Sequence, residues 1–351
     1  MATVNLNQKS STIPDDADQI YYNVRINGEP DKLTIAKYSE NRVVPILQNP
    51  SDYELAIVRF SVPTTQIPMF FWENDTWGIT LSYGVDNYFE YLQFIPNSFA
   101  NPKDTIYVPQ EFVDSVNQAF TSIFSTLKTA HPAILSTAPP VMTYDPITDL
   151  LTLNVQQNYV VDGVKIYFNS ALNTLMYSFQ NIFTEYPPSN KVYEIVVADR
   201  GGLNTGTLGG QASYLMKQEF PTTFTWSTFS KLIFETSSVP VVRELDGSQK
   251  DVTSARLTDF NVPSGVRYNR DPLIFYPQGP LRYISLNSKY PLNRIDLQIF
   301  WQNKDGTNYP IYLTSSEDAS VKILFRKKQS LRLQNYIDQS VDEAIDELHI
   351  K

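Results

Sequence analysis

RIDLQIFWQNKDGTNYPIYL, Arg294 to Leu313, is the stretch that decides the fold. Ile295, Leu297, Ile299 and Trp301 alternate with Asp296 and Gln298, the period-2 pattern of a strand with one face in a core. Asp305-Gly306 supplies a turn, and Tyr309 to Leu313 returns as the second arm of a hairpin. Immediately downstream, Val321, Ile323 and Phe325 alternate with Lys322, Leu324 and Arg326, which predicts a last strand.

Upstream, the same reading gives short strands at Ile20–Ile26, Val43–Leu47, Ile79–Tyr83 and Tyr88–Phe94, with Ile79–Tyr83 half-exposed. Ile67–Trp72 adds a bulky apolar stretch. Tyr53 to Val62 (YELAIVRFSV) is apolar at both parities: Leu55 and Ile57 point one way, Ala56, Val58 and Phe60 the other. This predicts a strand covered on both faces. Strands resume at Phe224–Phe229, Leu232–Phe234, Leu273–Tyr276 and Arg282–Leu286. Between the two β-rich regions, Pro109 opens an amphipathic helix. Its Phe112, Val116, Ala119, Phe120, Ile123, Phe124 and Leu127 fall on one face. A hairpin around Asp145–Asp149, a strand at Val164–Phe168 and a second helix from Ser170 to Phe183 complete the block. More than eight short strands around a helical block favour a two-sheet sandwich, and no repeat period suggests a propeller or solenoid.

Composition agrees. The 351 residues are 42% hydrophobic and 19% charged, a globular balance. The 22 Tyr, 20 Phe and 23 Pro against 13 Gly suit strands joined by ordered loops. The expected organisation is an extended N-terminal arm (1–19), jelly-roll strands (20–108), a helix-hairpin-strand-helix insertion (109–190), further jelly-roll strands (191–328) and a C-terminal amphipathic helix (329–351). Met1 to Gln19 shows no apolar signal segment, and no run reaches the roughly 18 apolar residues of a membrane-spanning helix.

Chemistry finds little to work with. The chain has no Cys, so thiolate nucleophiles, disulfides and zinc-thiolate sites are excluded, and a reducing compartment suits it. Its two histidines, His131 and His349, read as solvated. The glycine-rich run DRGGLNTGTLGG (199–210) reads as an exposed loop. It has no Lys-Ser/Thr pair after its last Gly, so it is not a phosphate loop. Glu73 and Asp75 share a face if their segment is a strand, the one carboxylate pair suggestive of a glycosidase. No catalytic, cofactor or metal residue is predicted. Net charge is −9, against a protein that coats nucleic acid over its whole surface. Arg326, Lys327, Lys328 and Arg332 form one dense basic cluster, a candidate contact patch. Leu333, Ile337, Val341 and Leu348 stripe the terminal helix and are candidate inter-subunit contacts.

Two stretches carry a resemblance: PPVMTYDPITDLLTL (Pro139–Leu153) and PLNRIDLQIFWQNKDGTNYPIYL (Pro291–Leu313) running into SVKILFRKK. With YNVRIN near Tyr22 and DYELAIVRFSVP from Asp52, they resemble the minor capsid (penton-type) proteins of polinton-like viruses, adintoviruses and virophages. The resemblance implies a mainly β fold, a single jelly roll with an inserted α/β block. It implies a homopentamer at the five-fold vertices of an icosahedral double-stranded DNA virus particle, contacting a double-jelly-roll major capsid protein. Other minor capsid proteins or packaged DNA are further candidate partners, and assembly would take place in the host cytoplasm or nucleus. The chain lacks the Arg-Gly-Asp that some vertex proteins carry. The rival reading is a receptor- or carbohydrate-binding β-sandwich that uses aromatics such as Trp72 and Trp77.

Overall fold

The structure, a computed structural model, describes residues 18–95, 105–245, 253–262, 272–276 and 280–328. The chain divides into two compact units. One holds residues 1–67, 229–263 and 270–351; the other holds 68–228 and 264–269.

The first unit is built of two sheets. Eight strands follow in chain order: Gln19–Asn27, Lys37–Asn41, Tyr53–Val62, Phe229–Glu235, Arg256–Asn261, Leu273–Phe275, Arg294–Asn303 and Asp318–Lys327. The first pairs with the eighth, the second with the seventh, the third with the sixth and the fourth with the fifth, all antiparallel. The eighth also pairs with the third, and the seventh with the fourth. The sheets are therefore ordered 1-8-3-6 and 2-7-4-5, which is a long hairpin folded over on itself: a jelly roll. Short segments extend the sheets, with Asn308–Pro310 continuing the edge beside Arg294–Asn303 and Ile284–Ser285 pairing with Tyr53–Val62.

Alternation places the core. Ile20, Tyr22, Val24 and Ile26 are buried along the first strand, Ile295, Leu297, Ile299 and Trp301 along the seventh, and Ala319, Val321, Ile323 and Phe325 along the eighth. Phe60 of the third strand sits 5.1 Å from Phe234 and 4.8 Å from Phe260 of the opposite sheet, and stacks at 5.4 Å on Phe275 of its own. This cluster joins the two inner faces.

Tyr53–Val62 is covered on both faces only over its first half, where Ala56 is buried as well as Leu55 and Ile57; beyond that the expectation is corrected. Its pairing with the last strand steps from Arg59↔Lys322 to Ile57↔Ile323, leaving Val58 as a bulge. One extra residue reverses side-chain parity. Leu55 and Ile57 before it, and Phe60 and Val62 after it, therefore all become buried, while Val58 and Arg59 do not. Val43–Leu47 is also corrected. The strand is Lys37–Asn41, Val43 is 98% exposed, and Leu47 makes a single bridge to Leu292.

The second unit is continuous from Pro68 to Thr228, wider at both ends than the expected 109–190 block. It leaves the jelly roll between the third and fourth strands. One of its sheets runs Thr205–Leu208, Gln211–Lys217, Leu150–Gln156, Val141–Asp145. The other runs Asn181–Phe183, Tyr193–Ile195, Lys165–Phe168, Gly78–Tyr83, Asp86–Tyr91. The helix Pro109–Ala130 packs on strands of both. All seven apolar residues predicted on its face are buried, and Glu111 accepts from the Tyr107 N–H at 2.9 Å to close its N-terminus.

Three further expectations fail in this unit. Gly78–Tyr83 is buried on both faces and not half-exposed, because the helix covers one of them. The second helix stops at Met176, and Asn181–Phe183 is an edge strand with Ile182 and Phe183 in solvent. Phe224–Phe229 is not a strand: Thr223–Thr225 is one 3-10 turn, and the strand starts at Phe229.

Candidate assembly surfaces

The basic cluster follows from the last strand's register. Gln19 lies opposite Arg326, and the Lys327 N–H donates to the Asp18 carbonyl at 3.0 Å. The chain thus enters at residue 18 and leaves at residue 328 from one end of one sheet. Arg326 donates from Nε to the Glu54 carboxylate at 2.9 Å, with a second contact through Nη2, and stacks 3.4 Å above the Tyr283 ring. Lys328 Nζ donates to the Ser51 carbonyl, and its N–H donates to the Asp52 carbonyl at 2.9 Å. Two members of the cluster are therefore committed to their own sheet. Arg332 and the stripe Leu333, Ile337, Val341 and Leu348 lie outside the described residues, as do the N-terminal arm and His349.

Other singled-out residues fall elsewhere. Trp72 and Trp77 are not surface platforms. They are 7% and 8% exposed and pack edge to face with centroids 5.0 Å apart, in a core with Phe70, Phe112 and Trp226. Glu73 and Asp75 sit in an exposed turn where Asp75 has φ +58°, so the strand that would have aligned them does not exist. Within 199–210 the exposed-loop reading holds only for the first half. Thr205–Leu208 and Gln211–Lys217 form a hairpin whose Gly209 and Gly210 take positive φ, as a tight two-residue turn demands. His131 is not simply solvated. It caps the long helix, with Nε2 3.1 Å from the Asp86 carboxylate and its ring between Tyr83 and Tyr88. Among the described residues no three His, Asp or Glu gather as a metal site, and no helix is long and apolar enough to cross a membrane.

Two polar knots escaped the reading of the sequence. Asp296, at an outward parity, is nevertheless 5% exposed. Thr236 Oγ1 donates to it at 2.7 Å, the Ser238 N–H at 2.7 Å and the Ser237 N–H at 3.0 Å, with the Ser237 and Ser238 hydroxyls also donating. Burial opposes its ionisation. The hydroxyls of Ser237, Ser238 and Thr236 and the Ser237 N–H outweigh that and hold the carboxyl far below the usual carboxylate range. In the other knot the Tyr22 and Tyr38 hydroxyls both donate to the Glu40 carboxylate, which brings their oxygens to 2.9 Å of each other and ties the first strand to the second across the two sheets. The Thr-Ser-Ser run after a strand was the available signal for the first knot; the second had none.

Large apolar side chains remain in solvent on connections of both units. Val43, Tyr276 and Tyr290 are 98%, 61% and 82% exposed in the jelly roll, and Val85, Ile147 and Tyr186 are 93%, 83% and 81% exposed in the insertion. Apolar area on loops and sheet ends is what subunit contacts draw on.

Comparison with known proteins agrees with this architecture. The family model of the Sputnik minor capsid protein V18/19 matches residues 20–327. Structural protein V19 of Sputnik virophage is 25% identical over 206 residues, covering 53% of this chain and 93% of that protein. The uncharacterized protein V18 of the same virophage is 39% identical over 54 residues, 15% of this chain and 32% of that one. A chain in the cryo-EM structure of the Sputnik virophage superposes with a TM-score of 0.77 at 23% identity, over 90% of this chain and 99% of that one. The mavirus penton protein gives 0.70 at 16% identity, over 89% and 100%. The family match takes in all eight strands of the jelly roll and the whole insertion, and so this chain belongs to the Sputnik V18/19 family of minor capsid proteins.

Proposed function

We propose that five copies of this chain ring each five-fold vertex of an icosahedral double-stranded DNA virus particle and contact the major capsid protein there. The observation that carries the reading is the family match across residues 20–327, which covers both units. Its structural fit lies in the kind of surface available. A closed five-membered ring uses two different faces of each subunit, and a specific contact buries roughly 800 Å² per partner. Exposed Tyr and Val on loop ends suit such faces better than an enzyme's enclosed cleft.

The Cys-free composition fits folding and assembly in the reducing host cytoplasm or nucleus. Residues 1–19 and the stripe from Leu333 to Leu348 are proposed to reach neighbouring subunits. Packaged DNA is the weaker partner proposal, because Arg326 is already engaged by Glu54.

Light scattering on the purified chain, and cryo-EM of particles from co-expression with its major capsid protein, test the proposal. A five-chain species, or density for this chain at five-fold vertices, is expected. A stable monomer that never enters particles overturns it.

A further inference from the structure

The insertion holds an open cleft of about 430 Å³ lined by Asn173, Thr174, Leu175, Tyr177 and Thr225. No lining side chain is charged. Aromatic rings crowd the same surface. Tyr177 is 41% exposed; Phe220, 44% exposed, meets it edge to face with centroids 5.6 Å apart; and Phe224, beside Thr225, is 54% exposed.

The surroundings are held firmly. The Leu175 carbonyl accepts from Thr222 Oγ1 at 2.6 Å and from Trp226 Nε1 at 2.8 Å, and Ser178 Oγ donates to the Phe220 carbonyl at 2.6 Å. These bonds explain why Tyr177 and Phe220 keep a fixed place while facing water. Their rings are presented and not packed away, although burial would have been the more stable choice for them.

The polar groups of the lining are neutral and have capacity to spare. Thr174 Oγ1 donates to the Ser170 carbonyl at 2.9 Å and Thr225 Oγ1 to the Thr222 carbonyl at 2.7 Å, which leaves both oxygens free to accept. Asn173 is 8% exposed. Its Oδ1 accepts from Asn181 Nδ2 at 3.1 Å, and its own amide nitrogen has no partner among the described residues. That nitrogen keeps contact with solvent and is free to donate to a ligand in the cleft.

We propose that this cleft binds a neutral sugar ring, with its C–H face against Tyr177 and Phe220 and its hydroxyls on Asn173, Thr174 and Thr225. An anionic ligand would find no cation in the lining to balance it. A purely apolar one would leave the Asn173 amide unmet. A pyranose has both an apolar face and a rim of hydroxyls, and the cleft volume admits one or two such rings. The inference does not rest on the pentamer, since every residue it uses belongs to the insertion.

Saturation-transfer NMR on the full chain tests it. The probes are the methyl glycosides of mannose, galactose and N-acetylglucosamine, each up to about 20 mM, with N-acetylneuraminate as the charged comparator. Transfer to the ring protons of at least one neutral glycoside is expected. Tyr177→Ala should weaken it about ten-fold. Thr174→Lys, which alters an exposed side chain and spares the core, should abolish it. Tyr290→Ala, on the jelly roll, should leave it unchanged. Silence from all three glycosides, binding of N-acetylneuraminate alone, or equal transfer in the Tyr177 and Thr174 variants overturns the proposal.

Discussion

The two units solve the same burial problem with different periods. The jelly roll buries alternate residues of strands drawn from three separated segments, and its key pairs join residues as far apart as Gln19 and Arg326. The insertion is one continuous run, and its core gathers around a single helix whose Phe112, Val116, Phe120, Ile123 and Leu127 are almost wholly buried. In a helix one extra residue rotates later side chains by about 100°, less than the half-turn it causes in a strand. With the strand period of 2, one extra residue turns every later side chain over. Register is therefore the vulnerable quantity in the jelly roll, and volume in the insertion.

Inserting one residue between Arg59 and Phe60 should break the comparison most severely. A second extra residue in this strand turns Phe60 and Val62 outward, and the Phe60–Phe234–Phe260 cluster is lost. The expected outcome is a jelly roll that does not form, read as loss of its thermal transition, while the insertion keeps its own. Deleting one residue from the exposed Gly201-Gly202 turn should leave both transitions in place.

Truncating one ring in each core comes next. Phe60→Ala and Phe112→Ala should each cost about 3–5 kcal/mol, because both side chains are at most 2% exposed and would leave cavities. Phe60→Ala is expected to lower the jelly-roll transition and Phe112→Ala that of the insertion, in calorimetry of the full chain. A single transition shifted equally by both would show that the units melt as one.

This contrast also explains what was legible in the sequence. The helix could be read residue by residue, because Pro109 and the 3, 4 spacing are local signals. The last strands were equally plain, from Asp296 and Gln298 between apolar neighbours. Tyr53–Val62 misled, because a bulge is a property of two strands and only one can be seen at a time. Gly78–Tyr83 misled for a related reason: Thr80 and Ser82 are polar, yet Thr80 Oγ1 donates to the Asn190 carbonyl at 2.8 Å, which makes its burial acceptable. The boundary at Pro68 was invisible, since strands on either side of it look alike. The cleft was invisible too, because it joins a short helix to a turn about fifty residues on.

Each unit also clasps a loop with a carboxylate, and the two clasps differ in strength. Asp162 of the insertion accepts from the Leu135 and Ser136 N–H groups, both at 2.9 Å, and from Ser136 Oγ at 2.7 Å. Burial opposes its ionisation, and those donors, with Lys128 nearby, still hold its pKa below the usual value. Asp296 has more donors and is more deeply buried. Asp296→Asn should cost about 2–4 kcal/mol, and Asp162→Asn about half of that. Both folded pKa values are depressed, so both carboxylates stabilise the fold above the unfolded value near 4 and lose that contribution as pH falls below it. The jelly-roll transition should thus fall more steeply than the insertion's between about pH 4 and 2, and Asp296→Asn should flatten the jelly-roll slope.

The smallest effect is expected where the charge is most visible. Arg326 pairs with Glu54 and covers Tyr283, with side chains about a quarter and a fifth exposed respectively for Arg326 and Glu54. Arg326→Ala should lower jelly-roll stability by about 1 kcal/mol, after allowing for solvent screening of the pair. Lys should recover less than half of that loss, since an ammonium cannot both fork onto Glu54 and lie flat on Tyr283. If Arg326 instead contacts packaged DNA, the alanine variant would show near-native stability but particles with less genome. Measuring both quantities on one variant separates a side chain that serves its own sheet from one that serves the particle. The geometry places Arg326 with the sheet.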